Sequence, residues 1–322
     1  IKWEETASTN VGFDYGFFGN KFTGSLEFYD KKTTDLLFTV PVPAGTNLSN
    51  FVLTNVGAVR NRGVEFKLNT RIFDRPGNGF KWDATVIASR NDNELLSINP
   101  RGGSALQQQI LTGGIAGGVG NTIQVLRPGL PVNSFLVYEQ LYANGRPISS
   151  ANLIDMYRDQ NGDGQINQDD LITYKAPQPR WILGQSSQMS WRKFDLSYTL
   201  RANLGGYIYN NVASERGRYS ALRGITPVNL HRDVLATGFD APQYFSNYYV
   251  QDGSFLRMDN IQLGYTFGRL GAFRAVRLFG AVQNAFTVSK YDGVDPNTNL
   301  NGIDNNIFPL SRVFTTGLNL GF

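Results

Sequence analysis

The chain has no cysteine and only one histidine in 322 residues. Without thiols there is no disulfide framework, no thiolate nucleophile and no cysteine-ligated zinc or iron–sulfur site. The lone His231 has no catalytic partner visible in the sequence and reads as a loop histidine. No stretch approaches the roughly 20 consecutive apolar residues of a membrane helix, so helical spans are excluded. The opening Ile1-Lys2-Trp3-Glu4-Glu5 has neither a charged n-region nor an apolar h-region, so the sequence is expected to be a processed chain or a fragment. A strong charge of one sign is also missing. The net charge is +4, and the basic residues are scattered through turns and loops, which gives no nucleic-acid footprint.

What is abundant is turn chemistry and aromatic surface: 35 Gly, 22 Phe and 15 Tyr, the composition of a β protein. Period-two alternation runs over segments of roughly ten residues, each closed by a turn. The first segment, about 6–18, sets Val11, Phe13, Tyr15 and Phe17 against Asn10, Gly12, Asp14 and Gly16. It returns after Gly19-Asn20-Lys21 with Phe22, Leu26 and Phe28. A second pair places Val64, Phe66, Leu68 and Ile72 opposite Glu65, Lys67, Asn69 and Arg71, turns at Asp74-Arg75-Pro76-Gly77-Asn78-Gly79, and returns through Phe80, Trp82, Ala84, Val86 and Ala88. A third uses Trp181, Leu183, Met189 and Trp191, then Phe194, Leu196, Tyr198, Leu200 and Ala202. The fourth runs through Ile261, Leu263, Tyr265 and Phe267, turns at 268–271 and returns through Val276, Leu278 and Val282. A last strand, 311–322, carries Phe314, Leu318, Leu320 and Phe322 on one face.

Connections within these pairs are short, whereas those between pairs are long: about 35–60, 92–178, 206–253 and 288–310. Short turns on one side and long loops on the other predict an all-β, transmembrane antiparallel β-barrel with extracellular loops. Nine strands ending on the short-turn side form an odd set, whereas bacterial barrels close with an even number. Earlier strands are therefore expected elsewhere. The apolar run 133–141 fits no wall strand and is assigned to a folded insert in the 92–178 loop. Polar positions Glu27, Glu65, Lys67, Arg71, Lys81 and Asp83 are expected to face a hydrated or plug-filled lumen.

Several stretches, in order, resemble the SusC/RagA family of TonB-dependent outer-membrane transporters. They are Ile1-Lys2-Trp3-Glu4 with Asn10-Val11-Gly12-Phe13-Asp14-Tyr15-Gly16, then Tyr29-Asp30-Lys31-Lys32-Thr33-Thr34-Asp35-Leu36-Leu37 and Pro41-Val42-Pro43-Ala44-Gly45. Asn55-Val56-Gly57, Asn61-Arg62-Gly63-Val64-Glu65, Asp159-Gln160-Asn161-Gly162-Asp163-Gly164, Gln283-Asn284-Ala285-Phe286 and the terminal Phe322 follow. The resemblance covers residues 1–322 and implies a bacterial outer-membrane location, a barrel of about 22 strands, and a periplasmic C-terminus. It also implies an N-terminal plug, contact with TonB through a segment absent from this sequence, and a SusD-like surface lipoprotein over the loops. Phe322 would be the terminal aromatic that barrel-assembly machinery reads, or simply a residue against membrane lipids. The activity implied is energised import of a glycan, oligosaccharide or peptide nutrient, with no enzymatic step. A passive porin or adhesin barrel, and a secreted β-sandwich binding module with a dockerin-like calcium loop, are the alternatives.

One constellation has defined metal chemistry. Asp159, Asn161, Asp163, Gln165, Asn167 and Asp170 stand at positions 1, 3, 5, 7, 9 and 12 of a calcium-type loop, with Gly164 at position 6. They are the candidate ligands of a structural Ca2+, Gln165 through its carbonyl. Asp170 replaces the usual Glu, and its shorter side chain weakens the case for bidentate coordination. Tyr207, Tyr209, Tyr219, Tyr244, Tyr248 and Tyr249, in the 206–253 loop, are candidate substrate or lid contacts. The glycine-rich run 113–120 lacks the Lys-Ser/Thr of a phosphate loop, and Gly184-Gln185-Ser186-Ser187-Gln188 lacks the second glycine of a nucleophile elbow.

Overall fold

A computed structural model describes residues 1–41, 45, 48–75, 79–98, 109–115, 121–224, 228–306 and 308–322. Parts of three predicted features lie outside them: 42–44 of the Pro41–Gly45 stretch, 76–78 of the second turn and 116–120 of the glycine-rich run.

In chain order, the strands begin with β1 (Glu5–Phe17), β2 (Phe22–Pro41), β3 (Phe51–Arg75) and β4 (Phe80–Ile98). An insert then supplies β5 (Ile110–Gly114), β6 (Thr122–Leu126), β7 (Ser134–Val137), β8 (Tyr142–Ala143), β9 (Arg146–Pro147) and β10 (Ile172–Thr173). The chain continues with β11 (Trp181–Trp191), β12 (Phe194–Leu204), β13 (Tyr207–Asn210), β14 (Val250–Asp252), β15 (Phe255–Leu270), β16 (Phe273–Ser289), β17 (Ile303–Asp304) and β18 (Val313–Gly321). Nine of these form one antiparallel sheet in the order β1-β2-β3-β4-β11-β12-β15-β16-β18. Consecutive wall strands are always neighbours, as in a barrel wall laid down hairpin by hairpin. No helix among the described residues is long and apolar enough to cross a membrane, which leaves crossing by strands open.

Register gathers the apolar positions onto one face. Val11 opposes Phe28, Phe13 opposes Leu26, and Phe17 opposes Phe22. The row continues as Leu26–Phe66–Ala88–Leu183–Ala202 across β2, β3, β4, β11 and β12. Phe194 opposes Tyr265, Tyr265 opposes Leu278, and Leu278 opposes Leu318. Many of these side chains are open to the surroundings, Phe13 at 60% and Leu318 at 62% exposure. The other face carries Glu27, Glu65, Lys67, Arg71, Lys81 and Asp83, and Arg71 Nε donates to Asp83 at 3.0 Å.

Close approach between strands depends on Gly24. Tyr15 crosses it so that its hydroxyl donates to the Lys67 carbonyl, two strands away, at 2.9 Å. A Cβ on Gly24 would sit 1.9 Å from that same oxygen, so only glycine fits.

Two local readings of the alternation need correction, for one reason. A β-bulge inserts an unpaired residue and shifts the parity beyond it. Between Arg71 and Phe73 the register slips, so Phe73, not Ile72, opposes Trp82 and stacks on it at 6.0 Å. Phe267 lies in a second slip between Thr266 and Gly268, and β15 runs on to Leu270 instead of turning at 268. β2, β3 and β4 also extend well beyond the expected loop boundaries, to Pro41, from Phe51 and to Ile98. Twenty-five residues in β3 far exceed the ~9–11 that a membrane-crossing strand needs. The surplus is a sheet that rises past the apolar band.

That surplus meets the insert. Val56, Leu95, Ile98, Ile110 and Leu126 form a buried cluster with Phe38 and Val132 against it. Leu95 N–H donates to the Leu130 carbonyl at 2.9 Å, and Gly129 N–H returns to the Leu95 carbonyl at 2.8 Å. The run 133–141 supplies β7, which lies in a separate four-stranded sheet, β10-β7-β6-β5.

Candidate functional site

The long connections on one side of the wall fold together. Insert residues Ile123, Phe135, Val137, Tyr138, Met156 and Tyr157 share a buried core with Tyr209, Ala213, Phe239, Tyr249, Val250 and Ile303. Three of the expected connections, 92–178, 206–253 and 288–310, are thus one folded mouth. Several polar groups inside it are paired, which offsets their burial. The fully buried Gln140 donates through Nε2 to the Met156 carbonyl at 3.1 Å and accepts from Ser246 Oγ at 3.1 Å, while its N–H donates to Asn247 Oδ1 at 2.9 Å. Tyr157 accepts from the Tyr244 N–H at 3.0 Å and stacks on the Tyr244 ring at 5.5 Å.

This packing sorts the six candidate tyrosines. Tyr209 and Tyr249 are fully buried, their rings 5.9 Å apart, so they build the core and offer no surface to a ligand or lid. Burial pushes both phenols above their ordinary pKa, and lifts Tyr138 to about 12. Tyr248 is half-buried and donates to Asp233 at 2.6 Å; burial, and after it the Asp233 carboxylate, push its phenol above the ordinary pKa. Tyr219 and Tyr244 present about a third of their surface. Tyr207 lines a cavity.

That cavity, about 480 Å³, lies where the polar face of β4 meets the mouth. Asn91 and Asn93 form its wall side; Tyr174, Lys175, Gln178 and Tyr207 form the mouth side. Lys175 Nζ sits 5.1 Å from the Tyr207 ring centre and 5.4 Å from that of Tyr174, which fixes both rings beside a cation. Asn91 accepts from the Tyr29 hydroxyl at 2.8 Å, and Asn93 accepts from Val132 N–H at 2.9 Å. The buried Gln178 Oε1 has no hydrogen-bond partner among the described residues. Sequence reading found Tyr207 but missed the others. The signal available was Tyr174-Lys175-Ala176-Pro177-Gln178-Pro179-Arg180, an aromatic, basic and proline-stiffened segment just before a wall strand.

The mouth is also pinned to the wall on the far side. Arg201 and Arg257 oppose each other across β12 and β15, flanking the Phe255 ring. Their repulsion is removed by two acids: Asp259, from a bulge, accepts from Arg201 Nε at 3.1 Å, and Asp295, from the loop after β16, pairs with the buried Arg257.

The 159–170 segment folds as a series of side-chain-capped turns. Gly164 adopts φ +79°, and its N–H donates to Asp159 Oδ2 at 2.8 Å; Asn161 Oδ1 accepts from Asp163 N–H at 3.0 Å, and Asp163 Oδ1 from Gln165 N–H at 2.8 Å. Asn167 Oδ1 accepts from Asp169 N–H at 2.8 Å and caps the turn Gln168–Asp170. Asp170, however, is fully buried and acts as a staple. Its Oδ2 accepts from Asn167 N–H and its Oδ1 from Gln160 N–H, both at 2.8 Å. The Asn167 N–H, followed by that of Gln160, holds this carboxyl below its usual pKa. Among the described residues no group of three Asp, Glu or His side chains is gathered to hold a metal ion. His231, half-buried, accepts the Asp233 N–H through Nδ1 at 3.3 Å, and burial lowers its pKa.

Comparison with known proteins gives this architecture a family. The profile described as "TonB dependent receptor-like, beta-barrel" matches residues 1–285. The chain belongs to the TonB-dependent receptor β-barrel family. It is 35% identical to TonB-dependent receptor SusC of Bacteroides thetaiotaomicron, over all of this chain and 32% of that receptor. TonB-dependent receptor P3 of Formosa agariphila is 30% identical over all of this chain and 34% of its own length. Among solved structures, the RagAB peptide importer in its closed-closed state superposes with a TM-score of 0.79 at 23% identity, over all of this chain and 36% of that one. At that identity the likeness speaks to the fold. The chain therefore spans about a third of the length of the relatives it matches. It is a SusC/RagA-type section of an outer-membrane barrel, and its apolar face is the lipid face. The relatives are named as receptors rather than enzymes.

Proposed function

We propose that this chain forms wall and mouth of a receptor that imports a bulky nutrient, a glycan or a peptide, across the outer membrane by TonB-coupled transport. The observation that carries the reading is the folded mouth. Its connections share one core and enclose a polar, aromatic-lined cavity against the lumen face of β4. A mouth of this kind is a rigid collar that can position a ligand above the pore. The name of the SusC relative, and the peptide transport named for RagAB, support the class. In this reading the long connections face outward and the C-terminus faces the periplasm. Exposed Tyr219 and Tyr244 then contact a SusD-like lipoprotein or the substrate, and exposed Phe322, 5.1 Å from the Phe273 ring, meets barrel-assembly machinery or lipid.

The 159–170 loop is proposed to take a structural calcium through Asp159, Asn161, Asp163, the Gln165 carbonyl and Asn167. Asp170 then orders the loop from behind. A chelator that leaves the thermal stability of the mouth unchanged removes this part of the reading.

The transport reading is tested by nutrient uptake in cells with and without a functional TonB. Uptake that stops when TonB is removed supports it. Uptake that continues at the same rate makes the barrel a passive porin, the competing assignment.

A further inference from the structure

A second cavity lies at the other end of β13. It holds about 390 Å³ and is bounded by Asn210, Arg216, His231, Asp304 and Phe308, with Val212, Leu230 and Val294 also in its lining. Its acidic groups are already satisfied. Buried Asp304 accepts from the Tyr291 hydroxyl at 2.6 Å and from Asn306 N–H at 2.8 Å, and Asp292 accepts from Arg232 at 2.7 Å.

Its donors are not. Asn210 is fully buried, and its Oδ1 caps a short helix by accepting Ala213 N–H at 2.9 Å. Its Nδ2 has no partner among the described residues, an arrangement that protein interiors avoid unless a ligand or water completes it. The half-buried Arg216 guanidinium makes no hydrogen bond or ion pair among the described residues, and the remaining residues of the sequence include no Asp or Glu to neutralise it. His231, with Nδ1 accepting from the Asp233 N–H, carries its proton on Nε2 when neutral, which makes it a third donor.

An unpaired guanidinium, a buried amide NH2 and an imidazole N–H beside apolar walls ask for an acceptor-rich anion joined to an apolar group. We propose that this cavity binds the free carboxylate of a small apolar carboxylic acid, such as the last residue of a peptide. Arg216 and Asn210 hold the carboxylate, and Val212, Leu230 and Phe308 cover the side chain. The site is distinct from the cavity beside β4. Binding is read directly on the detergent-solubilised native receptor, so its failure leaves the import reading standing, and failure of import leaves this one standing.

The probes are N-acetyl-L-leucine and N-acetyl-L-leucinamide, identical but for the carboxylate, titrated by calorimetry. The acid is expected to bind at least about tenfold tighter than the amide. Arg216→Gln is expected to erase that difference, and Arg216→Lys to keep part of it. Phe308→Ala, at an exposed position, weakens acid and amide alike without threatening the fold. Equal affinity for acid and amide, an unchanged preference in Arg216→Gln, or no binding of either probe up to about 10 mM overturns the proposal. So does a neutral hexose that displaces the acid.

Discussion

The wall and the mouth are built on opposite principles. Of the largest fully buried side chains, Tyr157, Tyr209, Tyr249, Phe135, Phe239, Ile123 and Val137 belong to the mouth; Leu95, at the top of β4, is the wall's. The wall holds together by ladder hydrogen bonds and by placing its apolar row against lipid. The mouth is an ordinary packed core assembled from connections and joined to the wall where its strands outrun the apolar band.

The difference is open to attack by substitution, and the largest effect is expected in the mouth. Phe135→Ala empties a fully buried site and should cost about 3–5 kcal/mol. Limited proteolysis should then cut the 109–175 region while the wall stays resistant to heat on a gel. Phe13→Ala, on the lipid face, should leave both unchanged. Loss of wall and mouth together would mean that they are one cooperative unit.

Next in size is a wall lesion that has nothing to do with burial. Gly24→Val drives a side chain into the Lys67 carbonyl and displaces Tyr15, at least the ~1–3 kcal/mol of overpacking. The expected result is less assembled barrel in the outer membrane, with residual molecules folded in the mouth. Tyr15→Phe removes only the hydroxyl bond and should cost about 1 kcal/mol in denaturant titration.

The smallest predicted effect is a pH response confined to the mouth. Asp170 has a depressed carboxyl pKa in the folded state, so its contribution is present above the unfolded value, about 3.9, and is lost as pH falls through the folded one. Protection of the Gln160 and Asn167 amides, measured against the intrinsic exchange rate at each pH, should therefore hold from neutral pH down to about pH 4 and fall below it. In Asp170→Asn the exchange should be faster at neutral pH and lose that acid step.

How much of this was legible in the sequence follows the same division. Period-two alternation located the wall strands because each reads against lipid on one side and the lumen on the other. It failed at Ile72 and Phe267, where a bulge shifts parity without any change in composition. Buried rings such as Tyr209 and Tyr249 looked like surface aromatics because the mouth core is made of short, aperiodic pieces joined across long separations, for which no local pattern exists. The spacing of Asp159 to Asp170 placed a glycine at 164, where φ is +79°. That Asp170 faces backbone N–H groups depended on its burial, which spacing does not encode.

The absence of cysteine makes the central claim, a wall with one lipid face and one lumen face, directly measurable. Single substitutions Phe13→Cys, Leu26→Cys and Phe66→Cys on the apolar row, and Asp14→Cys, Glu27→Cys and Glu65→Cys on the polar face, can be probed in outer membranes with a water-soluble maleimide. Labelling confined to the polar-face set, with the apolar row reached only by a lipid-soluble reagent, is the predicted result. Equal labelling of both sets by the water-soluble reagent would contradict it.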